Sequence, residues 1–227
     1  MKQIALAIIL FWTCSLIYKI LIGFDSSVME VDEILVVPNL TYWFGKDDFG
    51  RDIYLRLIDG FINSFQIILF VTLITSISGI LIGVLSGYLG GRLDQVIKFV
   101  TTLFMSFPGI LLAIAFAAIL SPGKLNLIIA LSIGGWVGYA RLARAQTLLV
   151  KEQDFVKASQ TMGSSKSRTV FRHILPALST PMIVEATYAV AGLIIAEASL
   201  SFLGLGLQAP EASLGGMMRD SVRYLLA

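Results

Sequence analysis

The sequence predicts an all-α membrane protein with several transmembrane helices, and three observations lead to this fold class. First, 56% of its 227 residues are hydrophobic and 14% are charged, whereas soluble domains carry about 25% charged residues. Second, several apolar runs reach the roughly 20 residues that a helix needs to cross a bilayer. Third, Lys and Arg are concentrated in one loop between these runs. Lipid is therefore the expected solvent, in agreement with a mean hydropathy of +0.84.

Five apolar runs predict five spans. The first is Ile4–Ile22, which is interrupted by Lys19, and a cleaved signal peptide is the alternative interpretation of this run. The second, Phe61–Leu89, is too long for a straight perpendicular helix and must tilt or begin at the interface. The other spans are predicted at Phe99–Leu120, from Leu125 to about Ala145, and from Leu178 to about Leu203.

Charge predicts how these spans are oriented, because cytoplasmic loops are enriched in Lys and Arg. We expect an N-terminal transmembrane helix at 1–22 with its N-terminus in the cytoplasm, an extracytoplasmic acidic segment at 23–59, and a transmembrane domain at 60–227. That domain includes a cytoplasmic loop at 146–176. The bases that fix this orientation are Arg141, Arg144, Lys151, Lys157, Lys166, Arg168 and Arg172.

Several other functions are disfavoured by composition. Cys14 has no partner cysteine in the chain, which excludes an intrachain disulfide. Cys14 and His173 together are too few for a structural zinc site. The net charge of +2 is too small to indicate a nucleic-acid partner. We predict no metal site and no catalytic residues.

The basic loop predicts two short amphipathic helices joined by a turn. Gly163 suits the position after a helix, and the serines that follow it suit the next N-cap. Pro176 suits the first turn of the fifth span. An amphipathic loop anchored on anionic lipid is the alternative. The residues with helical spacing are Phe155, Ala158, Ser159 and Met162, then Val170, Phe171 and Ile174.

This loop resembles the EAA signature of ABC importer permeases. The signature reads Glu-Ala-Ala, three residues, Gly, nine residues, Ile-x-Leu-Pro, and this chain has Lys157-Ala158-Ser159 in the first position and His173 in place of the Ile. Gly163, its spacing and Leu175-Pro176 are retained. The ending Phe-Arg-His-Ile-Leu-Pro resembles the dipeptide, oligopeptide and nickel branch in particular.

Further elements support the same branch. The run Trp43–Asp52 resembles the branch's Leu-Gly-Thr-Asp-x-x-Gly-Arg-Asp element before the second span. The run Glu197–Pro210 resembles its Glu-Ala-Ser-Leu-Ser-Phe-Leu-Gly-Leu-Gly element after the fifth. Tyr139–Arg144 also matches the branch. The resemblance covers about residues 40–220.

The resemblance implies a type I ABC-importer fold and the pore subunit of an ATP-driven importer in a bacterial cell membrane. Such a subunit moves peptides inward by alternating access and performs no covalent chemistry itself. Its implied partners are ATPase subunits, a second homologous permease and an extracytoplasmic solute-binding protein. The chain has no Gly-x-x-x-x-Gly-Lys-Ser/Thr phosphate loop, so ATP is expected on partner subunits and no cofactor on this chain. The implied ATPase-coupling residues are Asp154, Ala158, Ser159, Gly163, His173, Leu175 and Pro176.

The sequence departs from the branch at its end. Members of the branch continue with one more spanning helix, and Leu225–Ala227 is the candidate beginning of that helix. We therefore expect either that the family's last helix is missing because the chain is truncated, or that the protein works with five spans.

Three residues are candidates for the translocation pathway. Ionisable groups at membrane depth are functional candidates by default, which selects Glu185 and Glu197. For Glu185 the alternative is snorkelling, and for Glu197 a structural hydrogen bond to a loop is favoured. Pro108 is expected to bend the third span, either to shape a pore or for packing. A small-residue face at Gly79, Gly83 and Gly87 predicts close helix packing.

Other functions remain as alternatives. The same machinery imports nickel or metal chelates in other members of the branch. An ion-coupled secondary transporter predicts inverted repeats, and we find none. A membrane enzyme predicts paired catalytic groups within the spans, where the sequence offers Glu185 and Glu197 twelve positions apart.

Overall fold

The computed structural model describes residues 2–23 and 25–225. It confirms the all-α prediction, because no β-strand forms in the described chain and one isolated antiparallel bridge joins Lys46 and Asp52. The chain divides into two compact units. The first unit comprises Met1–Gln66 and Ala198–Ala227, and the second comprises Ile67–Glu197.

The helices follow the apolar runs, with short connections between them. A 3-10 turn forms at Val31–Glu33, and a π-helical turn forms at Val170–Ile174. The α-helices of the described chain are α1 (Lys2–Ile22), α2 (Ile53–Leu89), α3 (Gly91–Met105), α4 (Gly109–Leu120), α5 (Lys124–Val150), α6 (Asp154–Thr161), α7 (Lys166–Thr169), α8 (Leu175–Phe202) and α9 (Leu214–Leu225).

Three helices of the described chain are long and apolar enough to cross a membrane. They are α2, α5 and the continuous helix Lys166–Phe202, and the number rises to 4 if the bent pair α3–α4 forms one span. The predicted first span coincides with α1, many of whose side chains lie outside the described residues. The multi-pass architecture is confirmed, whereas the count of five spans stays a prediction. Most of the candidate sixth helix at 225–227 lies outside the described residues.

Two helices are longer than predicted. Helix α2 has 37 residues and begins at Ile53, ahead of the predicted start at Phe61. Helix α5 continues past Ala145 to Val150. Polar residues do not end α5, because Thr147 is buried and its hydroxyl donates to the Ala143 carbonyl at 2.7 Å.

The third predicted span is broken at Pro108. Helices α3 and α4 are bent by 85° relative to each other, so the expected bend is confirmed but is a break rather than a kink in one helix. Pro108 has an extended backbone (φ −57°, ψ 126°) and caps α4, where its missing N–H removes no helical hydrogen bond.

In the first unit, polar contacts join α1, α2 and the acidic segment. Asp59 accepts hydrogen bonds from Lys19 and Ser26, and the rings of Trp12 and Phe61 stack at 3.5 Å between centroids. The charge of Lys19 is therefore paired with a carboxylate close to the end of its apolar run.

Helix α9 was not predicted, because the sequence from Gly204 onward reads as a Gly-rich, mostly polar tail. The hydroxyl of Ser213 caps it by accepting from the Gly216 N–H at 3.0 Å. Gly215 is needed for packing, since a Cβ there would lie 2.8 Å from the Ser201 Cβ. Small residues thus bring α9 against the end of α8 within the first unit.

In the second unit, the small-residue face of α2 packs on α5 as predicted. A Cβ at Gly79 would lie 2.6 Å from the Tyr139 Cβ, and one at Gly83 would lie 2.7 Å from the Ala143 Cβ. At such distances any side chain would force the helices apart. The glycines therefore set the separation between α2 and α5.

Candidate functional site

The candidate site begins with the short amphipathic helix α6, which follows α5. Val156 is completely buried and anchors α6 to the second unit. Its neighbours Phe155 and Ala158 are exposed, and Ser159 is half-buried. Asp154 begins the helix, where a carboxylate is favourable for the helix dipole. Val156 therefore holds α6 in place, while the other side of the helix is exposed.

The turn after α6 has the geometry that the sequence predicted. Gly163 has φ +84°, a left-handed conformation that favours glycine. The hydroxyls of Ser159 and Ser164 are hydrogen-bonded at 2.9 Å. The Ser165 hydroxyl accepts from the Arg168 N–H at 3.3 Å and caps α7. The turn is therefore defined by local hydrogen bonds on both sides of Gly163.

Pro176 lies in the first turn of α8, as the sequence predicted. The helix does not start afresh there, however, because α7, the π-helical turn and α8 form one continuous helix, Lys166–Phe202. The π-helical turn Val170–Ile174 precedes Pro176, and the Leu175 N–H donates to the Val170 carbonyl. A π turn widens the helix, which accommodates a proline ring that would otherwise clash with the carbonyl four residues earlier.

The α6–α7 hairpin and the π-helical turn after it expose three large apolar side chains, which we call the loop face: Phe155, Met162 and Phe171. All three are large, and Met162 is 83% exposed. His173 is half-buried, with its ring 6.0 Å from that of Phe155. Several large apolar side chains exposed within one basic segment are typical of a docking surface. Of the other predicted loop residues, Leu175 is half-buried and Pro176 is exposed.

A core beneath the hairpin makes its base rigid. Ile174 at the end of the π-helical turn and Leu178 in α8 are buried with Tyr139 and Ala143 of α5 and with Val84 of α2. A displacement of the hairpin would therefore be transmitted to α2, α5 and α8 through direct packing.

A polar contact that sequence reasoning missed joins three helices of the same unit. Asp94 on α3 accepts from Nε and Nη2 of Arg144 on α5, with Nη2 to Oδ2 at 2.8 Å. It also accepts from the Ser86 hydroxyl on α2 at 2.6 Å. In the sequence, the sign of this contact is that Asp94 is a single acid between the bases Arg92 and Lys98.

A second feature is a cavity of about 620 Å³ in the second unit. Glu185 lines it together with Lys98, Arg141 and Arg144. Glu185 is half-buried, and a Cβ at Gly138 would lie 2.8 Å from its Oε1. The carboxylate therefore occupies space that Gly138 leaves open.

The other two predicted pathway residues lie elsewhere. Glu197 is buried near the end of α8, about 18 Å along that helix from Glu185 by helical rise. Pro108 is exposed at the α3–α4 break. Neither is among the described residues that line the Glu185 cavity.

A comparison with known protein families identifies the family to which this chain belongs. The model of the family of binding-protein-dependent transport system inner membrane components matches residues 79–227. This chain belongs to that family, and its apolar helices agree with a multi-pass membrane protein.

Curated relatives of this chain are permease proteins of dipeptide, oligopeptide and glutathione transport systems. The chain is 39% identical over 188 residues to the dipeptide transport system permease protein DppC of Alkalihalophilus pseudofirmus, with 83% of this chain and 62% of the relative covered. It is 38% identical to the oligopeptide transport system permease protein OppC of Bacillus subtilis, with the same coverage. It is 37% identical to the glutathione transport system permease protein GsiD of an Escherichia coli strain, with 96% and 72% covered. The chain thus spans less than two thirds of the length of the first two relatives.

Proposed function

We propose that this chain is the transmembrane pore subunit of an ATP-driven importer that moves di- or oligopeptides inward by alternating access. Its fold is the type I ABC-importer fold with five spanning helices in this sequence. Its N-terminus is cytoplasmic, and the acidic segment at 23–59 is extracytoplasmic. The chain performs no covalent chemistry and binds no cofactor itself. It assembles with ATPase subunits, a second permease and a solute-binding protein.

The observation that carries this proposal is the loop face on its rigid base. A surface of Phe155, Met162 and Phe171, held by buried Val156 and Ile174, suits a groove of a partner subunit on the cytoplasmic side. The family match makes an ATPase the natural occupant. Because the hairpin packs on α2, α5 and α8, a movement imposed on it would reach helices that line the pathway.

The Glu185 cavity supports a peptide substrate over a bare metal cation. Among its described lining residues the bases Lys98, Arg141 and Arg144 outnumber the single acid, Glu185. Asp94 pairs with Arg144, while Arg141 and Glu185 both line the cavity. Such a cavity repels a divalent cation and suits a substrate that carries both a carboxylate and an ammonium group. We propose Glu185 and Arg141 as its pathway residues.

The decisive test is a pair of substitutions at Gly163. We expect Gly163→Val to abolish recovery of the ATPase subunits with the tagged permease and to abolish ATP-driven peptide uptake, because a β-branched residue is strained at φ +84°. Gly163→Asn is the matched control, since Asn tolerates this conformation, and it should retain both activities.

The two activities are measured by mass spectrometry of complexes purified in mild detergent and by uptake of labelled dipeptide into proteoliposomes. Retention of ATPase binding and uptake by Gly163→Val would refute the coupling role of the loop. Uptake that persists without ATP would instead favour an ion-coupled secondary transporter.

A further inference from the structure

A buried arginine without a complete set of partners lies in the first unit. Arg56, in the first turns of α2, is 6% exposed, and its Nη1 has no hydrogen-bond acceptor among the described residues. Its Nε is 3.6 Å from Asp47 Oδ2, the oxygen that already accepts from Arg51 Nε at 2.7 Å. A buried guanidinium N–H without an acceptor is destabilising, so an acceptor from outside the described residues is expected.

Arg56 lines a cavity that a small ligand can enter. The cavity has a volume of about 220 Å³, equivalent to about seven water molecules. Its walls come from α2, α9, the acidic segment and the connection between α8 and α9. A neighbouring cavity of about 310 Å³ shares Arg56 with it. This space suits one end of a short peptide rather than a folded protein.

Charge is distributed unevenly in this cavity. Arg219 at its wall is paired with Asp220 at 3.2 Å, and Arg51 is paired with Asp47. The unused donor is therefore the buried Arg56, while Asp48 and Glu211 are exposed residues that also line the cavity. A buried guanidinium with exposed carboxylates around it suits a ligand that carries a carboxylate at one end and N–H or ammonium donors at the other. An acidic protein surface would be repelled by the exposed carboxylates.

We propose that this cavity binds the terminal carboxylate of a peptide, with Arg56 as the carboxylate ligand and with Asp48 and Glu211 facing its ammonium end. This inference rests on the proposed peptide importer function and adds a substrate subsite to it. A guanidinium is well suited to the task, because it binds a carboxylate through two parallel hydrogen bonds.

The test measures binding to the assembled transporter in nanodiscs, without the binding protein, by saturation-transfer NMR. The probes are dialanine, dialanine amide and N-acetyl-dialanine. We expect the amide to bind at least about tenfold more weakly than dialanine, because it lacks the charged acceptor. Arg56→Gln should weaken both carboxylate probes by a similar factor, and the exposed control Arg92→Gln should leave them unchanged.

A second variant keeps the proposal testable if Arg56→Gln fails to assemble. Asp48→Asn, at an exposed position, should weaken dialanine but not N-acetyl-dialanine, which has no ammonium group. The proposal would be overturned if dialanine amide bound as tightly as dialanine. It would also be overturned if the Asp48→Asn and Arg56→Gln proteins bound the probes like the wild type. If such a transporter still shows ATP-driven dipeptide uptake, the subsite alone is wrong. If the wild type shows no such uptake, the proposed function fails whatever the probes bind.

Discussion

At the scale of single residues, Gly83 makes the sharpest stability prediction. We expect Gly83→Ala to lower the free energy of unfolding by about 1–3 kcal/mol, because its Cβ would collide with α5, where the Ala143 Cβ lies 2.7 Å away. Gly192→Ala is the matched control, since a Cβ there meets nothing within 4 Å. The control should be neutral or slightly stabilising, as alanine favours helix. Melting in detergent measures both, and equal melting temperatures would contradict a close α2–α5 contact.

The contact between Asp94 and Arg144 gives a second prediction. We expect Arg144→Gln to lower the free energy of unfolding by about 1–3 kcal/mol, because it leaves a largely buried carboxylate without its bidentate partner. The control is Lys98→Gln, which removes a half-exposed ammonium 3.7 Å from the same carboxylate and should cost much less. Similar losses for the two variants in chemical denaturation would show that the bidentate geometry has no special role.

At the scale of elements, the sequence predicted the features that depend on a few neighbouring residues. The end of α6 at Gly163 and the cap at Ser165 follow from backbone and hydroxyl preferences of individual residues, and the structure confirms both. The packing of Gly79, Gly83 and Gly87 followed from their spacing. Such features depend on few residues and need no knowledge of the rest of the chain.

Features that depend on tertiary contacts were missed. Helix α9 is stabilised because Gly215 fits against Ser201, a contact between residues distant in sequence. The π turn before Pro176 makes a continuous helix where the proline alone suggested a new beginning. The Arg144–Asp94 pair joins α5 to α3 across 50 positions, and sequence spacing alone carries no sign of that contact.

The acidic segment makes a prediction about pH. Lys46 is buried and contacts Glu30 and Glu33. Desolvation lowers the pKa of Lys46, but the hydrogen bonds to these carboxylates more than offset it and the pKa is raised. The hydrogen bond from Lys46 lowers the pKa of Glu33 from its ordinary 4.5.

The signs of these shifts define a window of pH. The Glu33 contribution is present above pH 4.5 and is lost as pH falls through its lowered pKa, whereas the Lys46 contribution is present below 10.5 and is lost as pH rises through its raised pKa. We therefore expect the difference in melting temperature between wild type and Lys46→Gln to be constant between these values and to shrink outside them. A difference that persists unchanged in acid would argue against the Lys46–Glu33 pair as its source.

At the scale of the whole molecule, the distribution of charge along the chain predicts a single orientation in the membrane. The loop 146–176 is rich in bases, while 23–59 is acidic. The bases near membrane ends set orientation during insertion, so this prediction depends on the distribution of charge along the chain and on no detail of packing.

Cysteine labelling tests this orientation directly. In a Cys14→Ser background, a cysteine placed at Met162, which is 83% exposed, should react with a membrane-impermeant maleimide only after the cells are opened. A cysteine placed at Leu40, which is 98% exposed, should react in intact spheroplasts. The two variants control each other for reactivity, since a permeant maleimide should label both equally. Labelling of Met162→Cys in intact spheroplasts would place the loop face outside the cell, where no ATPase could reach it, and would refute the proposed coupling together with the orientation.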